Sequence, residues 1–132
     1  MLIESLQNEK IKRLTRLLSK NQDRRKAGVF IVEGQQENER ALHFGNQPEE
    51  YFICETIFKG ILPDSKIHFV SEKIYEKIAY RGTTEGIIGI YKLELRNLDE
   101  FKPKQDSAII ILESVEKPGN LGAILRSCEA FG

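Results

Sequence analysis

Short apolar runs alternate with segments of helical spacing along the first 91 residues, and this alternation limits the fold more than any other feature. The runs are rich in β-branched and aromatic residues, which predicts strands over 29–32, 51–54, 66–70 and 87–91. Helical spacing predicts a first helix after Ser5, which is its candidate N-cap, and further helices over 35–44 and from Ser71 through Tyr80. Residues 21–28 are predicted as a turn. This order of elements favours a small α/β domain with three layers, α/β/α.

A second α/β segment follows a polar stretch. Residues 94–106 are polar and contain Pro103, which predicts a linker. Residues 107–112 are almost wholly apolar, which is typical of a central parallel strand, and an amphipathic helix is predicted from Asn120. One β-α unit cannot form a sheet, so we interpret 107–132 as the incomplete start of a second domain that needs on the order of 100 further residues. The predicted organisation is a domain over 1–93, a linker over 94–106 and this incomplete domain.

The charge distribution suggests a polyanionic partner. The chain has 20 basic and 20 acidic side chains, but residues 1–26 contain eight basic and three acidic ones. A concentrated basic surface on a neutral chain favours RNA as a partner, although a solvated helix face would also explain it. Because arginine makes bidentate contacts with phosphate, the predicted RNA-binding residues are Arg13, Arg16, Arg24, Arg25 and, in the polar loop 81–86, Arg81.

Several other classes of protein are excluded. No apolar run approaches the roughly 18 residues that a membrane-spanning helix needs, and the N-terminus becomes charged too early for a secretory signal. Cys54 and Cys128 lie far apart, without a CxxC spacing or a neighbouring histidine, so no metal site is predicted. Reduced thiols in a chain without a signal predict a cytoplasmic location.

The stretch from 113 to 126 is the most informative for chemistry. Pro118 and Gly119 predict a sharp turn into a helix, and Asn120 is a candidate cap for the first helical N–H groups. Gly122 would allow close approach of a ligand, and Arg126 lies opposite the apolar face, where it is free to bind a phosphate or carboxylate. Neither of the common glycine-rich nucleotide motifs is present. Taken alone, these residues favour a capped helix with a solvated arginine over a binding site.

Residues 112–132 resemble the first signature motif of the SpoU/TrmH-type RNA ribose 2′-O-methyltransferases, enzymes of the SPOUT class with a deep C-terminal trefoil knot. The N-x-G-x-x-x-R core is matched at Asn120, Gly122 and Arg126, and 129–132 match the end of the motif. Upstream, Ser5, Asn8 and the segments 30–34 and 83–89 resemble the N-terminal substrate-binding domain of that family, which has an L30e-like fold.

The chain departs from the family pattern in two respects. Lys117 stands where many members have aspartate, which leaves any role for a carboxylate there in doubt. The second and third motifs of the family, which form most of the S-adenosylmethionine pocket, do not occur in this sequence.

The resemblance implies methyl transfer from S-adenosylmethionine to a ribose 2′-hydroxyl, with ribosomal RNA as the expected substrate. It implies that Arg126 contacts RNA phosphate and assists the hydroxyl, and that Asn120 shapes the turn and orients the site. Because the guanidinium has a pKa above about 12, we expect Arg126 to act electrostatically. The resemblance also implies a homodimer through the knotted domain of the full-length protein. Residues 1–132 alone are expected to bind RNA but neither to bind the cofactor nor to catalyse.

Two other functions remain open from the sequence. The chain could be a non-catalytic L30e-like RNA-binding protein similar to kink-turn binders, which the first hundred residues alone would permit. It could also be a structural or protein-interaction domain whose basic helix only aids solubility. An in-frame continuation with the later motifs would favour the enzyme over the RNA-binding protein, and salt-dependent affinity for RNA would exclude the interaction domain.

Overall fold

The computed structural model describes residues 2–80, 85–95 and 97–132 and divides the chain into two compact units, Met1–Leu95 and Arg96–Gly132. The strands of the first unit are β1 (Leu2–Ile3), β2 (Val29–Glu33), β3 (Pro48–Ile53), β4 (Lys66–Val70) and β5 (Ile87–Lys92). Its helices are α1 (Glu9–Ser19), α2 (Asn21–Ala27), α3 (Gln35–His43) and α4 (Glu72–Ile78). The second unit contains a 3-10 turn (Leu98–Glu100) and α5 (Pro118–Phe131).

The five strands form one mixed sheet in the order β1-β4-β3-β5-β2. β4 runs parallel to both β1 and β3, whereas β5 runs antiparallel to both β3 and β2. At the centre of the sheet, Tyr51 pairs with Gly89, and Gly89 also pairs with Val32 on the other side.

The sheet is covered on both faces by helices. Side chains of α1 and α4 pack against one face around Phe52, Ile88 and Ile90. Side chains of α3 pack against the other face around Tyr51 and Tyr91. Because consecutive residues of a strand point to opposite faces, the apolar runs of β3 and β5 supply both cores. The prediction of an α/β domain with three layers is confirmed.

A buried polar network lies beneath α3. The Asn38 amide donates to the Gly34 carbonyl at 2.7 Å, and the Tyr91 hydroxyl donates to the Asn38 Oδ1 at 2.9 Å. The Tyr51 and Tyr91 hydroxyls are 3.0 Å apart, and burial raises the pKa of both phenols, so they stay neutral. Gly89 faces this network, and a Cβ at that position would collide with the Asn38 side chain. The glycine therefore makes room for the buried hydrogen bonds.

The N-terminal elements differ in detail from the sequence prediction. A helix, α2, occupies 21–27, where the sequence predicts a turn. The sequence does not reveal this helix because its residues are polar on every side and show no apolar period. It ends at Gly28, whose φ of 64° is in the left-handed region that favours glycine. Asn8, and not Ser5, caps α1. β1 is too short at two residues to be recognised from its sequence.

The predicted strand over 107–112 is wrong. The structure has no regular secondary structure there, and Ile109, Ile110 and Ile111 are all more than half exposed. An extended segment is stable only when neighbouring strands pair with its backbone N–H and C=O groups. The described residues of the second unit contain no other strand that could do so. The helix that is predicted to follow is present as α5.

Candidate nucleic-acid interface

Helix α1 buries one face and leaves its cations at the surface. Ile11, Leu14 and Leu17 repeat at intervals of three and pack into the core, which turns the basic residues of the same helix outward. The Asn8 side chain accepts a hydrogen bond from the Lys10 backbone N–H at 3.0 Å and so starts the helix. The basic segment of the sequence therefore becomes part of one helical surface.

Arg13, the first of the predicted RNA-binding residues, forms an ion pair with Glu50. Its guanidinium donates to the Glu50 carboxylate, which is buried and lies 2.7 Å from the Nε2 of His68. Lys10 Nζ is 3.2 Å from the Nδ1 of the same ring. Since an ammonium group can only donate, this arrangement requires the His68 proton on Nε2, pointing to Glu50.

Opposing effects of burial and of neighbouring donors set the pKa of Glu50. Burial acts to raise the pKa of the carboxyl, but the hydrogen bond from His68 and the charge of Arg13 outweigh it, and the pKa is lowered. A groove of about 370 Å³ at this place also contains Glu49 and Lys66. Two carboxylates thus offset the cations around Arg13, which makes this groove a weak attractor of anions.

Arg24 has a structural partner that sequence reasoning missed. Its guanidinium donates to the backbone carbonyls of Leu17 at 2.6 Å and Leu18 at 3.1 Å. These carbonyls lie in the last turn of α1, where no intrahelical N–H satisfies them. Arg24 therefore holds the end of α1 to α2, and only its spacing of six to seven residues from two apolar leucines could have suggested this.

Arg16 and Arg25 are the predicted residues that the fold leaves exposed. Arg16 lines a groove between α1 and α4 together with Lys12 and Lys77. Arg25 is on the outer side of α2. Neither lysine is among the residues predicted from the sequence. Lys12 is absent because only arginines are predicted there, and Lys77 joins the group only through the packing of α4 against the same face of the sheet as α1.

Arg81 lies outside the described residues. The segments on either side of it are joined to the end of β2. The Tyr80 backbone N–H donates to the Glu33 carboxylate at 2.8 Å, and the Gln35 N–H donates to the Glu85 carboxylate. Segment 30–34 and the described part of the second segment, 85–89, which carry part of the family resemblance, therefore meet at one end of the β2–β5 pair.

The second unit contains the predicted catalytic residues Asn120 and Arg126. Both are exposed on α5. Asn120 lies in the first turn, but the helix is preceded by Lys117 and begins at Pro118, so the prediction that Asn120 is the cap is wrong. Proline suits the first helical position because its missing N–H is not needed there. The helix therefore starts at Pro118, two residues before the predicted start at Asn120. Asn120 and Arg126 are six positions apart in the helix, which corresponds to about 9 Å along its axis.

Other kinds of site receive no support within the described parts of the chain. No three of the described His, Cys, Asp and Glu residues come together as a metal site would need. No described helix has the length and apolar character to cross a membrane.

The fold can be compared with those of known proteins. Residues 8–89, the larger part of the chain and nearly all of the sheet domain, match the family model of the MRM3-like substrate binding domain. The chain belongs to this family. Together with relatives named as a TrmH family tRNA/rRNA methyltransferase and as RNA 2'-O-methyltransferases, the match confirms the resemblance to SpoU/TrmH-type RNA 2′-O-methyltransferases.

Relatives cover the chain from end to end. It is 25% identical over 132 residues to the 23S rRNA (guanosine(2553)-2'-O)-methyltransferase RlmP of Bacillus subtilis (strain 168), a match over 98% of this chain and 51% of that protein. A crystal structure of an RNA 2'-O ribose methyltransferase is 36% identical and superposes with a TM-score of 0.73 over 100% of this chain and 53% of its own. The SpoU methyltransferase AviRb of Streptomyces viridochromogenes, solved in complex with AdoMet, shares the fold at 17% identity, with a TM-score of 0.77 over 96% of this chain and 51% of its own.

The MRM3-like chain thus spans about half the length of the relatives that it matches. Its described residues supply a five-stranded sheet domain with exposed basic side chains, and a second unit with the helix α5.

Proposed function

We propose that this chain is the RNA-binding part of an S-adenosylmethionine-dependent ribose 2′-O-methyltransferase that acts on ribosomal RNA. The single observation that carries the proposal is the family match over residues 8–89, a domain whose family name assigns it to substrate binding. The activity of the 23S rRNA methyltransferase relative supports ribosomal RNA as the substrate. The proposal includes a cytoplasmic location and a homodimer formed through the knotted domain of the full-length protein.

The exposed cations of α1 and α2 support RNA binding by the sheet domain. Arg16 and Arg25 are free to contact phosphates, and Arg13 and Arg24 add positive charge beside them while they hold Glu50 and the end of α1. Contacts of this kind position a nucleic acid without reading its sequence. With Arg81, these four arginines form the proposed substrate surface.

Asn120 and Arg126 are the proposed catalytic residues of the second unit. An arginine beside the reacting ribose would hold a neighbouring phosphate and reduce the electrostatic cost of charge on the 2′-oxygen. Asn120 lies in the first turn of α5. There it would hold the loop that enters the helix in one conformation and so orient the ribose for methyl transfer. When bound, S-adenosylmethionine supplies the methyl group.

The second unit has a groove of about 660 Å³ between residues 104–110 and the end of α5, but its lining residues are exposed or half-buried, so they do not by themselves fit this cofactor. A pocket for a molecule of that size encloses most of the ligand surface. None of the described residues from 97 to 132 is buried, and α5 has no buried side chain. We therefore propose that residues 1–132 contribute RNA binding, and that cofactor binding needs further chain.

The test is the methylation state of ribosomal RNA in cells with and without the gene. Ribose methylation removes the 2′-hydroxyl that attacks the adjacent phosphate in alkali, so a methylated position resists alkaline cleavage. We expect one protected position to become cleavable when the gene is deleted, and to be protected again when it is restored. If every protected position survives the deletion, the non-catalytic RNA-binding protein becomes the better interpretation.

A further inference from the structure

A groove of about 530 Å³ runs between α1 and α4 on the outer surface of the sheet domain. Leu6 and Ile78 contribute its apolar lining, and Lys12, Arg16 and Lys77 contribute cations. Arg16 and Lys77 are exposed, whereas Ile78 is 8% exposed and belongs to the core beneath. The groove therefore has an apolar floor and charged walls.

The cations come from two helices for a structural reason. Residues 9, 12 and 16 repeat at intervals of three and four, so they share one face of α1, away from the buried leucines. α4 packs on the same face of the sheet through Ile74, Tyr75 and Ile78, which leaves Lys77 at the surface. Positive charge thus faces the groove from both sides.

The charge balance favours an anion in the groove. Glu9 is the acidic residue among those that line it, and it pairs with Lys12 at 2.9 Å. The hydrogen bond and the charge of Lys12, followed by the charge of Arg16, lower the pKa of Glu9, which keeps this carboxylate ionised. Within residues 2–80, 85–95 and 97–132, no carboxylate forms a salt bridge with Arg16 or Lys77. The groove around Arg13, by contrast, contains the two carboxylates Glu49 and Glu50.

We propose that the groove between α1 and α4 binds the sugar-phosphate backbone of an RNA strand. Arg16 and Lys77 contact phosphates from opposite walls, Lys12 adds charge, and the apolar floor of Leu6 and Ile78 lies beneath a ribose. This inference rests on the proposed RNA-binding function. It assigns the binding to the groove between α1 and α4 and adds Lys12 and Lys77 to the RNA-binding residues. Since every RNA strand presents the same backbone, the groove positions the substrate and does not select its sequence.

The experiment measures the binding of residues 1–132 to a fluorescein-labelled RNA stem–loop by fluorescence anisotropy over a series of salt concentrations. Arg16→Ala and Lys77→Ala are expected to lower the affinity by about fivefold each, and to reduce the slope of log affinity against log salt by about 0.7 to 0.9 each, because each removes one phosphate contact. Arg40→Ala is the matched control. Arg40 is an exposed helical arginine on α3, which covers the other face of the sheet.

A gain of affinity provides a second test that loss of folding cannot imitate. Glu9→Gln removes the negative charge from the groove and frees Lys12, so the RNA affinity is expected to rise and the salt slope to steepen. Arg16→Lys and Lys77→Arg preserve the charges and are expected to keep the slope of the unmodified chain.

Three outcomes would overturn the inference. If the two groove variants bind like the unmodified chain while Arg25→Ala binds more weakly, RNA lies elsewhere on the domain and the proposed function stands. If the unmodified chain does not bind the stem–loop, both the groove and the RNA-binding function are wrong. If polyglutamate binds more tightly than the RNA, the groove serves an acidic protein.

Discussion

At the scale of single residues, arginines that look alike in the sequence have different roles in the structure. Arg13 neutralises a buried carboxylate, Arg24 satisfies backbone carbonyls, and Arg16 and Arg25 face solvent. A charged side chain that already has a partner in the protein contributes less binding free energy to a contact with an external phosphate, because binding must first weaken the internal contact. RNA affinity is therefore expected to depend more on the exposed pair than on the engaged pair.

Glu50 makes stability depend on pH. Because its pKa in the folded chain lies below the ordinary value of 4.5, its ionised form stabilises the fold above that pH, and the contribution is lost as the pH falls through the folded pKa. Glu50→Gln is expected to lower the free energy of unfolding by about 2 kcal/mol near neutral pH, since the charge-assisted hydrogen bonds from His68 and Arg13 weaken. Urea unfolding at neutral pH and at about pH 3 measures the difference, which should shrink in acid.

Glu49 is the natural control for Glu50. It precedes Glu50 directly but is exposed, so Glu49→Gln is expected to change stability by less than about 0.5 kcal/mol. Equal effects of the two substitutions would contradict the assignment of Glu50 as a buried partner of His68 and Arg13.

At the scale of elements, α2 secures the end of α1. Arg24→Ala removes two hydrogen bonds to the carbonyls of Leu17 and Leu18, and it is expected to lower the free energy of unfolding by about 1 to 2 kcal/mol. Arg25→Ala, one position along the same helix, is expected to leave stability within about 0.5 kcal/mol while it weakens RNA binding. Chemical denaturation and RNA anisotropy together separate the two roles.

The opposite pattern would correct the assignment of the two arginines. If Arg25→Ala destabilises the chain and Arg24→Ala only weakens RNA binding, then Arg24 belongs to the substrate surface. Arg24→Lys should recover little of the stability, since an ammonium group lacks the planar fork of a guanidinium.

At the scale of the whole molecule, the two units differ in how much they bury. The sheet domain has two apolar cores, whereas the described residues of the second unit include no buried side chain. A ligand of the size of S-adenosylmethionine needs an enclosed pocket, so residues 1–132 are expected to show no micromolar affinity for it. Titration calorimetry with S-adenosylmethionine measures this, and RNA binding by the same sample shows that the protein is folded. Saturable micromolar binding would show that the second unit forms the cofactor pocket without further chain.

The exposed isoleucines of the second unit show where sequence patterns are insufficient. An apolar run indicates that a segment is suited to burial, but burial depends on partners elsewhere in the chain. Residues 107–112 have the composition of a central strand and are nevertheless exposed and unpaired. The division into 1–93, 94–106 and 107–132, the L30e-like assignment and the knotted domain stay predictions.

The α/β class, the positions of four strands, the amphipathic helices and the family could all be predicted from the sequence, because they depend on local period, on turn residues and on a motif contiguous in the chain. Which cations are available to a ligand depends on contacts that form only in the folded chain. Lys77 joins Arg16 through the packing of two helices on one sheet face, and Arg13 meets Glu50 and His68 across strands β3 and β4. Contacts between residues tens of positions apart depend on the register and layering of the sheet, which no local pattern of residues encodes.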